Sequence, residues 1–139
     1  VGERNFKKNL MESEGTNKVI EISGPLFDTL NEGKILIVDK LDAKLHPLLT
    51  RNIVLLFMDP DKNKHGAQLI FATHDTNLLD LSLIRRDQIW FAEKDNVEST
   101  DIYSLVEFKD ENGNKVRNDR DIKSDYIRGR YGAIPFIGK

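Results

Sequence analysis

Lys34-Ile35-Leu36-Ile37-Val38-Asp39-Lys40-Leu41-Asp42-Ala43-Lys44-Leu45-His46-Pro47 is the stretch on which the reading of the fold turns. After Lys34 come four apolar residues, Ile35 to Val38, three of them β-branched, with no polar alternation. Such a run reads as a strand buried on both faces, typical of a parallel sheet. The run stops at Asp39, so the strand delivers a carboxylate at its C-terminal end. Open α/β sheets bind ligands at that edge. Further on, Pro47 stands where the first turn of a helix tolerates proline. Leu45, Leu48, Leu49, Ile53, Leu56 and Phe57 mark one face of that helix, with Val54 and Leu55 widening it.

Upstream, Val1 to Glu14 reads as the end of a polar connection. The pattern from Thr16 to Asn31 is helical, with Pro25 expected to kink or restart the helix and Gly33 to stop it. Downstream, Asp59-Pro60-Asp61 closes the second helix, and Lys62 to Gly66 is a polar loop. A second buried strand, Gln68 to Thr73, ends at His74-Asp75. Thr76 or Asn77 caps a short helix carrying Leu78, Leu79 and Leu81. Gln88 to Glu93 and Asp101 to Phe108 read as further strands. Lys109 to Asp121 reads as a mobile charged loop, Ile122 to Tyr131 as a last short helix, and Gly132 to Ile137 as an apolar tail. Alternation of helix and strand predicts an α/β fold with a mainly parallel sheet flanked by helices.

The chain has 139 residues, 39% hydrophobic and 32% charged, which fits one domain or a piece of a larger one. Its formal charge of -2 excludes a uniformly basic nucleic-acid coat. The charge is uneven: residues 1–108 carry a net of -5 and residues 109–139 a net of +3. The basic tail suits either a solvated surface or contact with phosphate or an acidic partner. There is no Cys, hence no disulfide framework, thiolate nucleophile or Cys-based metal site. No apolar run approaches the length of a membrane span and no secretory signal is visible, so a cytoplasmic location without membrane contact is expected.

Three places can carry chemistry. Asp39 ends a buried strand, the position at which nucleotide-hydrolysing folds hold the Asp near Mg²⁺; alone, the same pattern also describes a strand meeting a helix cap. His74 ends the neighbouring strand, so two strands present polar residues at one edge, and His74 would lie near a terminal phosphate if Asp39 lies near its metal. Ser13-Glu14-Gly15-Thr16 stands at a helix start, where backbone N–H groups face an anion, or where Ser13 or Thr16 is simply the capping oxygen.

Taken in order, these pieces resemble the C-terminal half of an ABC-type ATPase head, the class of the SMC, recombination-repair and overcoming-lysogenization-defect ATPases. Ser13-Glu14-Gly15-Thr16 looks like the signature motif, Ile35 to Asp39 like Walker B, Leu41 to Pro47 like the D-loop with its Leu-His-Pro, and Thr73-His74-Asp75 like the switch histidine. Arg85 to Phe91 and Gly129 to Phe136 look like bacterial abortive-infection and restriction-associated ATPases of the AbiL and RloA type. The resemblance implies the C-terminal lobe of a P-loop NTPase, with ATP and Mg²⁺ as cofactors of the complete protein. It implies Asp39 on Mg²⁺ through water, His74 at the γ-phosphate, and Asp42 at the interface of a homodimer that sandwiches ATP. Ser13, Gly15 and Thr16 would face the partner's nucleotide. It allows a TOPRIM-type nuclease subunit and DNA as further partners, and implies a role in phage defence.

Two departures from the pattern stand out. No Gly-x-x-x-x-Gly-Lys-Ser/Thr occurs, so the phosphate loop is expected upstream of Val1 and the chain reads as a partial head domain. Lys40 occupies the position at which the family has the catalytic Glu. Two function classes therefore remain: a hydrolysing ATPase, and a catalytically degenerate scaffold that positions a nuclease. A phosphoacceptor domain using Asp39 accounts for neither Leu41 to Pro47 nor His74.

Overall fold

The computed structural model describes residues 14–94, 99–117 and 119–134. The chain divides into two compact units, Val1–Asp75 and Thr76–Lys139.

In the first unit, α1 spans Glu14–Glu32 and buries Ile22, Leu26, Thr29 and Leu30. These fall at i, i+4, i+7 and i+8, one face of a helix. The helix runs on through Pro25 instead of restarting there. It stops at Gly33, whose φ of 65° is left-handed, and the Lys34 N–H closes the end on the Thr29 carbonyl at 3.0 Å. A side chain at Gly33 would also strike the backbone carbonyl of His65. β1, Ile35–Val38, follows at once.

α2 spans Pro47–Met58. Its first turn is capped by His46, whose Nδ1 accepts the Leu48 N–H at 3.2 Å, with Pro47 at the position where a missing N–H costs nothing. Its inner face carries Thr50, Ile53 and Val54. Leu48, expected on that face, is 66% exposed; once Pro47 opens the helix, position 50 points inward. Asn63 ties down the following loop: its Nδ2 donates to the carbonyls of Phe57 and Ala67, and its Oδ1 accepts the Ala67 N–H.

β2, Gln68–Phe71, pairs with β1 in parallel, with Ile35 beside Gln68 and Ile37 beside Ile70. Leu36, Val38, Leu69 and Phe71 point to the side on which α1 packs against β1 and α2 against β2. Ile35, Ile37 and Ile70 point the other way and are exposed. The expectation of a sheet covered on both faces is thus corrected for the described residues: one face is covered and one is open.

The second unit departs further from the expected parallel order. β3, Trp90–Lys94, does not extend the parallel pair; it is antiparallel to β4, Thr100–Ser104, as a separate two-stranded ribbon. The expected fourth strand stops early because the Glu107 N–H turns back onto the Ser104 carbonyl. The helix expected at Thr76 is a single 3-10 turn, Thr76–Leu78, and a second such turn covers Arg86–Gln88. α3 covers only Ile122–Ile127, since Gly129 (φ 76°) turns the chain away. Around the ribbon lies a core of Ile89, Phe91, Leu105, Val116, Ile122 and Tyr131. The charged loop is anchored by Asp110, whose carboxylate accepts the N–H groups of Asn112 and Asn114. No described helix is long and apolar enough to cross a membrane.

Candidate functional site

The C-terminal ends of β1 and β2 stay joined past the strands themselves. The Ala72 N–H donates to the Val38 carbonyl and the Leu41 N–H to the Ala72 carbonyl, each at 3.0 Å. Asp39 and Lys40 therefore lie opposite Ala72, and Thr73 and His74 follow it at the same edge of the sheet. Asp39, Lys40 and His74 are exposed.

The loop after β1 is tightly shaped. Lys40 (φ 53°) and Lys44 (φ 64°) both take the left-handed conformation, which for a side-chain-bearing residue costs about 1–2 kcal/mol each. The turn is closed by the Ala43 N–H on the Lys40 carbonyl and the Leu45 N–H on the Asp42 carbonyl. Leu41, fully buried, and Leu45 anchor it. Between these anchors, the Asp42 carboxylate reaches the end of β2: its Oδ1 accepts the Thr73 hydroxyl at 2.6 Å and the His74 backbone N–H at 3.3 Å. The Thr73 Oγ1 in turn accepts the Asp75 N–H at 3.0 Å. Partial burial pushes the Asp42 carboxyl up, but the Thr73 hydroxyl and the backbone N–H groups outweigh it, holding the group below the usual carboxylate range.

Asp39, Lys40, Asp42 and His74 are thus brought together. Ser13 lies outside the described residues. Gly15 and Thr16 are the second and third residues of α1, which begins two residues before the expected Thr16. That helix start reaches the loop after β1 through an ion pair of Glu14 with Lys44 at 3.4 Å. Thr73 is the residue that motif reading leaves without a role. Its signal in the sequence is a hydroxyl immediately before the His at a strand end. An apolar groove of about 380 Å³ between α1 and α2, lined by Val19, Leu26, Phe27, Leu49 and Ile53, includes none of these residues.

No set of three or more described His, Asp or Glu side chains could cage a metal ion. Mg²⁺ keeps several waters and takes one or two carboxylates plus phosphate oxygens. Asp39, an exposed hard-oxygen donor at the sheet edge, fits such a role. The model of the family described as "AAA domain, putative AbiEii toxin, Type IV TA system" matches residues 2–80. No curated protein and no solved structure matches significantly. The family match spans more than half of the chain and contains the whole of this edge, so the chain belongs to this family of ATPase-like AAA domains.

Proposed function

We propose that the chain is the C-terminal lobe of an ABC-type ATPase head that binds and hydrolyses ATP with Mg²⁺ in a bacterial defence system. The observation that carries this is the shared edge: two paired parallel strands end in Asp39 and in Thr73-His74, and Asp42 of the loop after β1 bonds to the end of β2. Asp39 would hold Mg²⁺ through water. Mg²⁺, when bound, neutralises charge on the phosphates. His74, exposed and beside it, donates a hydrogen bond to a terminal phosphate oxygen. Gly15 and Thr16, with the N–H groups of the α1 start, face the nucleotide of a second head across a homodimer. The family description names a toxin–antitoxin system, in keeping with a defence role. A TOPRIM-type nuclease subunit and DNA complete the set of proposed partners.

A second reading, a scaffold that binds ATP without turning it over, is favoured by Lys40. Lysine there puts no carboxylate oxygen in place to orient a water or take its proton. The test is ATP turnover in a protein that supplies a phosphate loop alongside this chain. Mg²⁺-dependent turnover that falls by on the order of 10²-fold in Asp39→Asn and in His74→Ala supports the hydrolysing head. Tight nucleotide binding without turnover selects the scaffold. Absence of both removes the ATPase head reading.

A further inference from the structure

We infer that Asp42 is a positioning residue for His74: together with Thr73 it fastens the end of β2 to the loop after β1, and so sets where His74 stands. The inference rests on the ATPase reading for what His74 does, but not for the fastening itself.

The β1–β2 ladder ends with the bonds of Ala72 and Leu41, one residue short of Thr73. Past that point, one carboxylate oxygen and one hydroxyl carry the chain on from Thr73. Oδ1 of Asp42 takes the Thr73 hydroxyl and the His74 N–H, and the Thr73 Oγ1 takes the Asp75 N–H. A bond to an ionised acceptor is the stronger kind, and the Thr73 hydroxyl and backbone N–H groups, by holding the Asp42 carboxyl below the usual carboxylate range, favour that charged form.

The loop is built to place this oxygen. Two left-handed lysines, 40 and 44, frame it, and Leu41 and Leu45 are packed inside. Strain of this kind persists only where the surroundings over-determine it. Here the strained turn spends its geometry on aiming Asp42 inward. A carboxylate so engaged links two things: whatever displaces the loop after β1, such as a second head, also moves the backbone of His74. Asp42 therefore acts through Thr73 and His74 and need not touch nucleotide.

The experiment has two arms. In the 139-residue chain, amide hydrogen exchange is compared among the unaltered protein, Asp42→Asn, Thr73→Val and Thr73→Ser. Exchange at His74 and Asp75 is expected to quicken at least tenfold in Thr73→Val and Asp42→Asn, to return in Thr73→Ser, and to stay unchanged at Leu36 and Ile70. Unchanged exchange at His74 in Thr73→Val overturns the inference, and that near-isosteric variant keeps the test open if Asp42→Asn fails to fold. In the second arm, the same variants are assayed for ATP turnover in a protein with a phosphate loop supplied. A misplacement of His74 by about 1 Å predicts kcat lower by on the order of 10- to 100-fold with KM within about twofold, and recovery in Thr73→Ser. Faster exchange with unaltered kcat overturns the positioning role. Faster exchange in a protein whose unaltered form has no turnover overturns the ATPase reading and supports the fastening alone.

Discussion

Lys40 combines a chemical fault with a conformational one. It follows Asp39 at the position where the proposed hydrolysis would call for a base, and it holds a φ of 53° that costs a side-chain-bearing residue about 1–2 kcal/mol. The two are separable by substitution. Lys40→Glu keeps the strained backbone and supplies an acceptor, so ATP turnover in a phosphate-loop-bearing protein is expected to rise by about 10²- to 10⁴-fold. Equal rates for the Lys and Glu forms would mean that position 40 is not at the chemical step, and the scaffold reading would lose its main support. Lys40→Gly supplies no acceptor but relieves the strain. It is expected to raise stability by about 0.5–1 kcal/mol, net of the entropy that Gly adds to the unfolded chain, without raising turnover. Thermal or urea unfolding reads the first effect and a phosphate-release assay the second.

The segment after α3 shows how an element can look like a motif and behave as an anchor. Of the stretch Gly129 to Phe136, residues 129–134 are described, and they have structural work to do. Tyr131 is buried among Phe91 and Phe108, with ring centroids 5.6 and 5.0 Å away. Its hydroxyl donates to Asp125 Oδ2 at 3.0 Å, while Arg120 grips both oxygens of Asp125 at 2.7 and 2.8 Å. Tyr131→Phe keeps the ring and removes one bond to a buried charge, so a loss of about 1.5–3 kcal/mol is expected in the unfolding of the second unit. Titration gives an independent check. Burial, reinforced by the Asp125 bond, pushes the Tyr131 hydroxyl up to about 12 from 10.0. A group protonated more readily in the folded state stabilises fully below pH 10 and loses that contribution as pH rises toward 12. Asp125 works in the opposite direction. Burial raises its carboxyl, but the bonds from Arg120 and Tyr131 prevail and hold it low. Its contribution is present above the ordinary carboxylate value and fades as pH falls through the lowered one. In Tyr131→Phe the alkaline decline should shrink. Elements of this kind were only partly legible in the sequence. β1, α2 and β2 announced themselves through an unbroken apolar run, a Pro at a helix start and a second run of the same kind, and their ends located Asp39 and His74. The ribbon β3–β4 did not: pairing direction is a tertiary choice, and Gln88 to Glu93 reads the same whether it joins a parallel sheet or an antiparallel one. Nor did the inward turn of Asp42, which depends on two left-handed lysines that no propensity predicts.

Across the whole molecule, the apolar surface is distributed in a way that composition conceals. The β1–β2 pair buries Leu36, Val38, Leu69 and Phe71 at least partly, yet leaves Ile35 (58%), Ile37 (74%) and Ile70 (54%) exposed on one face. Ile37 and Ile70 are register partners, so their side chains adjoin and make a continuous patch with Ile35. The two-stranded sheet also has no third described strand on either side, leaving ladder hydrogen bonds unmade along both edges. Burying the exposed remainder of the three Ile side chains contributes on the order of 3–6 kcal/mol toward self-contact. The 139-residue chain is therefore expected to associate as its concentration rises, and to bind a fluorescent apolar dye in proportion to this open face. Ile37→Lys places a charge at the centre of the patch without touching the covered face. It should lower light scattering and dye fluorescence severalfold while leaving the far-ultraviolet dichroism intact. Leu48→Lys, at an exposed position on α2, is the control: it adds the same charge elsewhere in the first unit and so separates patch disruption from general repulsion. If both lysines suppress association equally, net charge is the cause. If neither does, or if the unaltered chain stays monomeric at high concentration with a single sharp melt, the open face is stable in water as it stands and the chain behaves as a self-sufficient domain.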